Sequence, residues 1–135
     1  MKSLDTNVLA RFFIDDPDDA QAAQQRPAAV AAFSEPTMVT ITVILEFEWV
    51  MRGFYGLART EITRVLTALM GIEHVTVEDR DAVSAALHLF DTGLDLADAL
   101  HLVRSYGATA FVTFDRKLAN RAKALGSSPA IDLLK

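Results

Sequence analysis

Short β-branched or apolar runs alternate along the chain with longer stretches of helical period. Ser3-Leu4 reads as a first short strand that ends on Asp5. Thr6 to Ile14 then carries Val8, Leu9, Phe12 and Phe13 on one helical face, with Arg11 off it. Asp15-Asp16-Pro17-Asp18-Asp19 stops this helix and opens the next, with Pro17 near a first-turn position and acids at the positive end of the dipole. Residues 18–34, rich in Ala and Gln, read as helix, and Pro27 is expected to kink or divide them. Thr37 to Thr42 predicts a second buried strand running into a helix over Val43 to Arg52. Gly53-Phe54-Tyr55-Gly56 is a turn, and Arg59 to Met70 an amphipathic helix with Ile62, Leu66 and Leu69 on one side. His74 to Val77 is a third strand, followed by a helix over Asp79 to Phe90 whose acids Glu78, Asp79 and Asp81 suit its dipole. Gly93 ends that helix and Asp95 opens another as N-cap. Ala108 to Phe114 is nearly all apolar, as a parallel strand covered on both faces should be, and a helix over Lys117 to Leu125 leaves it. Gly126 closes that helix, and Pro129 to Leu133 reads as a last edge strand. The alternation predicts an α/β sandwich with a mainly parallel sheet of four or five strands.

Composition narrows the class. A chain of 135 residues, 51% hydrophobic, predicts a single domain over residues 1–135. There is no cysteine, which excludes disulfides and thiolate metal sites. Asp5, Arg11 and Asp15 interrupt any signal-peptide core, and Glu46, Glu48, Arg52, His88 and Asp91 break up the longest apolar segments, so a soluble, cytoplasmic protein with no membrane partner is expected. The balance of 13 Lys and Arg against 18 Asp and Glu, net −5, argues against a general nucleic-acid coat protein. It leaves room for a nucleic-acid enzyme whose acids hold divalent cations, because the metal reverses the local sign. Neither GxGxxG nor GxxxxGK[ST] occurs.

Four acids fall at corresponding places: Asp5 and Asp115 at strand tips, Glu46 and Asp98 about one turn into helices leaving the same edge. Each has a plainer reading as a cap or a solvated side chain, and an Asp95–Asp98 capping box is one such alternative. Glu46, set among Ile44, Leu45 and Phe47 and sharing a face with Trp49 and Val50, is expected to be buried, and Glu48 solvated. Carboxylates packed together raise one another's pKa, and a divalent cation relieves them; oxygen-only ligation suits Mg²⁺ or Mn²⁺.

Leu4-Asp5-Thr6-Asn7-Val8-Leu9, Glu46-x-x-Trp49-Val50-x-Arg52, Leu96-Ala97-Asp98-Ala99-Leu100 and Val112-Thr113-Phe114-Asp115-Arg116, in that order, resemble the PIN-domain ribonucleases, and within them the VapC-type toxins of toxin-antitoxin pairs. The resemblance runs nearly end to end. It implies a three-layer α/β/α fold and a metal-dependent endoribonuclease with Asp5, Glu46, Asp98 and Asp115 as catalytic and metal-holding acids. It implies Asn7, Asp95 and Thr113 as the outer residues that orient them. It also implies a homodimer, an RNA substrate and a small cognate antitoxin that reaches the active site. Pro27, and the Leu-Ala before Asp98 where many relatives carry an aromatic before the Ala, depart from the family pattern without touching the four acids.

No Ser, His and acid stand at triad spacing and there is no thiol, so water is the expected nucleophile, activated by one or two ions and leaving a 5′ phosphate and a 3′ hydroxyl. Arg11, Arg52, Arg116 and Lys117 are the cations expected near substrate. His101 is expected to pack between helices, and Trp49 to belong to the core. The alternatives are a PIN nuclease of RNA processing, a phosphoacceptor signalling domain and an inert scaffold. The signalling domain fits less well, because Asp5 is followed by Thr6-Asn7 rather than a second acid and Glu46 lies in a helix.

Overall fold

The computed structural model of the chain describes residues 1–127 and 129–135. Contacts between backbone positions divide it into two compact units, Met1–Arg80 and Asp81–Lys135. The described elements are β1 (Lys2–Ser3), α1 (Thr6–Phe13), α2 (Ala20–Ala32), β2 (Thr37–Val39), α3 (Ile41–Gly53), α4 (Arg59–Met70), β3 (Val75–Val77), α5 (Arg80–Asp91), α6 (Leu96–Val103), β4 (Ala110–Thr113), α7 (Arg116–Ala124) and β5 (Ala130–Leu133). All strand pairings are parallel, as expected. The five described strands form a three-stranded ladder, β1-β2-β3, in the first unit and a two-stranded ladder, β4-β5, in the second.

In the first unit, Lys2 pairs with Thr37, and Thr37 to Val39 pair with Val75 to Val77. Single bonds extend these short ladders, from the Leu4 amide to the Met38 carbonyl and from the Glu78 amide to the Val39 carbonyl. The strands are short because helices claim their tips. Asp5 caps α1 through the Thr6 amide at 2.8 Å, and Thr40 caps α3, so the second strand stops at Val39 rather than Thr42. The core of this unit includes Leu9, Val39, Ile44, Phe47, Met51, Ile62, Leu66 and Leu69, all nearly sealed from solvent. Burying each of these larger apolar side chains contributes about 1.5–3 kcal/mol.

Pro27 does not divide its segment: α2 is one helix around it. The proline removes one backbone bond at a cost of about 3 kcal/mol, and anchors on both sides of it offset that loss. Asp19 accepts from the Gln21 and Ala22 amides at the start, Ala22 and Ala29 are buried, and Phe33 at the far end stacks on Phe12 with centroids 4.0 Å apart.

In the second unit β4 and β5 pair from Ala110↔Ala130 to Thr113↔Leu133, and α7 packs against β5. The expectation that β4 is covered on both faces fails, since Val112 is 54% and Phe114 74% exposed. An apolar run fixes strand propensity but not the number of layers laid over it. The turn from α5 to α6 passes through Gly93 at φ 121, where a Cβ would collide with Nη1 of Arg121. That guanidinium crosses the glycine to donate to the Thr92 carbonyl at 3.2 Å.

Candidate active site

In the first unit, the β1 tip sets Asp5 at the start of α1, exposed, with one carboxylate oxygen held by the Thr6 amide. Thr6 itself is buried at 3% exposure, and its hydroxyl donates to Oε1 of Glu46. A threonine in the first turn of α1 therefore fixes the acid on α3 beside the residue that follows Asp5. Sequence reading missed Thr6. Its only signal was a small hydroxyl side chain at a helix position with no apolar neighbour of its own.

The order expected for the two glutamates is reversed. Ile44, Phe47, Glu48 and Met51 face inward, while Glu46 and Trp49 are exposed, Trp49 at 59%. The grouping of Glu46 with Trp49 on one helical face is right, but that face is the outer one. With apolar residues on every side of α3, the sequence could not tell which face sinks. Glu48 tolerates burial because Nε of Arg52, one turn on, donates to it at 2.8 Å. Arg52 is thereby committed to an ion pair. Arg11, likewise, donates to Gln25 at 2.9 Å and to the Tyr55 hydroxyl at 3.2 Å, which bridges α1 to α2 and to the turn after α3. Asn7 is exposed and lines a groove of about 240 Å³ along α1 and α2.

Glu78 is expected from the sequence to serve the dipole of the helix that follows it. It instead accepts from the Ile41 amide at 2.9 Å and so completes the cap of α3.

The second unit carries the other two acids. Asp115 is the N-cap of α7, accepting from the Leu118 amide at 3.0 Å, and the Thr113 hydroxyl accepts from the Asp115 amide at 2.9 Å. Asp98 lies in the first turn of α6, partly buried. Burial raises its pKa above the ordinary aspartate range, the charges of Asp95 and Asp115 raise it further, and His101 pulls it back. Asp95 stands at the N-cap position but its side chain makes no capping bond, so the capping-box alternative is not realised. His101 is exposed rather than packed. On this short helix Leu96, Ala99, Leu100 and Leu102 fill the inward positions, which leaves His101 facing out. Arg116 and Lys117 are exposed beside Asp115.

A family model described as PIN domain matches residues 3–124, across both units. The chain is a PIN-domain protein. Its α/β class with parallel strands is that of the PIN fold. PIN domains are typically nucleases, hydrolases of phosphodiester bonds, and the family generally uses divalent metals. Among curated proteins none matches this chain.

The donor chemistry of this PIN domain fits a hard divalent cation. Asp98 and Asp115 in one unit, like Asp5 and Glu46 in the other, offer only oxygen, and the like charge around Asp98 is of the kind a cation relieves. Within neither unit, among the described residues, do three His, Cys, Asp or Glu side chains stand close enough to complete a metal site. No helix among the described residues is long and apolar enough to cross a membrane.

Proposed function

We propose that this PIN domain is an Mg²⁺- or Mn²⁺-dependent endoribonuclease and the toxin of a toxin-antitoxin pair. The observation that carries the nuclease reading is Asp98, a partly buried carboxylate under the like charges of Asp95 and Asp115, which outweigh the opposing pull of His101. Folding does not gain from such a cluster, so its use lies in what binds there.

Asp98 and Asp115 are the acids of the second unit that would hold an ion, and Asp5 and Glu46 those of the first. When bound, the ion supplies Lewis acidity toward a phosphate oxygen. The chain's own residues hold these acids in place. Thr6 fixes the Glu46 carboxylate, Thr113 orients the backbone that presents Asp115, and the Leu118 amide restrains its Oδ1. Asp98, with its raised pKa, takes up a proton more readily than an ordinary aspartate. Attack of water on phosphorus with loss of the 3′ oxygen gives a 5′ phosphate and a 3′ hydroxyl, the proton of the water passing to the acids and the 3′ oxygen protonating from solvent.

The purified chain with Mg²⁺ or Mn²⁺ is expected to cut single-stranded RNA internally and to leave those termini, read by end-labelling and phosphatase sensitivity. Raising either ion well above its Kd should stabilise the fold by roughly 1–3 kcal/mol, seen as a rise of several degrees in Tm. No cleavage together with no shift rejects the reading. The toxin role predicts growth arrest on expression, relieved by a small protein encoded beside it. Cleavage without arrest places the chain in RNA processing instead. A homodimer is part of the same proposal, supported by Trp49 and Phe54, which are 59% and 71% exposed at the C-terminal half of α3 and just past its end.

A further inference from the structure

Helix α7 is electrostatically at odds with the rest of the molecule. Four of the chain's 13 Lys and Arg fall within its nine residues and no acid does, although the whole chain carries −5. Arg121 and Lys123 in the last turn suit the helix dipole, but Arg116 and Lys117 occupy the first turn, where cations are disfavoured. Among the described residues Arg116, Lys117 and Lys123 form no ion pair. The placement is therefore not explained by helix stability.

Along the same helix runs an open groove of about 420 Å³ lined by Thr92, Lys117, Asn120, Arg121, Ala124 and Leu125. Arg121 is fixed at its wall by the bond to the Thr92 carbonyl, an approach that only a glycine at position 93 permits. At the head of the helix, one residue before its cap Asp115, the Phe114 ring is 74% exposed. An apolar ring in water followed by a cationic groove is the pairing that single-stranded nucleic acid uses, with a base on the ring and phosphates on the cations.

We propose that Phe114 and the Lys117–Arg121 face of α7 form the track that holds single-stranded RNA leading away from Asp115. The proposal rests on the nuclease reading and deepens it by naming the residues that hold the strand beyond the acids. Phe114 stacks on a base, while Lys117 and Arg121, one turn apart on the face that lines the groove, meet successive phosphates. α7 is about 13 Å long at 1.5 Å per residue, so the contacts cover a few nucleotides. The track grips any base sequence, because every base offers a stacking face.

The test uses the full chain and a fluorescent unstructured RNA oligonucleotide, cut with Mn²⁺ by the wild type and by three variants. Phe114→Leu should raise KM about ten-fold or more with kcat at saturation little changed, and Phe114→Trp should restore KM, because stacking needs an aromatic and not merely an apolar side chain. K117Q should lower the slope of log binding against log salt by about 0.7, the value for one phosphate contact on a single strand. If the wild type cuts RNA but Phe114→Leu and K117Q leave KM and the salt slope unchanged, the track is wrong and the nuclease reading stands. If the variants spare RNA kinetics and instead abolish rescue by a co-expressed inhibitor protein, the face belongs to a protein partner and the track is likewise overturned. Failure of the wild type to cut any RNA removes the underlying reading.

Discussion

Asp98→Asn is expected to lower RNA cleavage by about 100-fold or more, the scale of losing a positioned proton-transfer or charge-stabilising group. The same substitution should leave the fold intact and slightly more stable at neutral pH in metal-free buffer. The sign follows from the raised pKa. In the folded chain the charged form of Asp98 is disfavoured by burial and by the charges of Asp95 and Asp115, so between the unfolded and folded pKa values the native state binds more protons than the unfolded one. Stability from this residue is therefore lost as pH rises through that window and regained as pH falls. The Tm advantage of Asp98→Asn over wild type should be present at pH 7 and vanish on acidification below the ordinary aspartate range. Full cleavage activity in the variant would remove Asp98 from the site. A Tm advantage that instead grows with acid would show that burial and like charge do not act on it.

Phe47→Ala should cost about 3–5 kcal/mol, the usual range for emptying a fully buried aromatic position. For a chain of 135 residues that lowers Tm by roughly 10–20 °C. Phe47 has no exposed surface, and its ring lies 6.0 Å from that of Phe13, so the cavity would open between α3 and α1. It also follows Glu46 in sequence, and loosening it should weaken the Thr6 hydrogen bond and reduce cleavage along with stability. Trp49→Ala, at an exposed position two residues on, is expected to shift stability by less than about 1 kcal/mol. Comparable losses for the two variants, measured by denaturant titration, would mean that the inward face of α3 has been misassigned.

That contrast also marks where the sequence is readable. α4 was legible to the residue, because Ile62, Leu66 and Leu69 alternate with charged positions and only one face can sink. The tips of β1 and β4 were legible as well, since an apolar run that ends on Asp and then turns helical has few other solutions, and Asp5 and Asp115 both cap the helices that follow. α3 was not, because Ile-Thr-Val-Ile-Leu-Glu-Phe-Glu-Trp-Val-Met is apolar on every side, and the choice between Glu46 and Glu48 depends on neighbours far along the chain. Pro27 misled for a related reason. A local rule about one missing amide was outweighed by Phe33 stacking on Phe12, a contact between residues 21 positions apart. The role of Thr6 went unread and Glu78 was assigned to the wrong helix because hydroxyls and acids at helix starts look alike, whichever helix they serve.

The Glu78 bond to the Ile41 amide spans 37 residues, so the head of α3 is fastened by a side chain made long after the helix itself. The Thr40 hydroxyl caps the Val43 amide locally, whereas the Ile41 amide meets its acceptor through a residue that follows β3, the strand paired beside β2. A chain that stops short of residue 78 therefore lacks the acceptor of the Ile41 amide, and the head of α3 gains its second anchor only as the first unit closes.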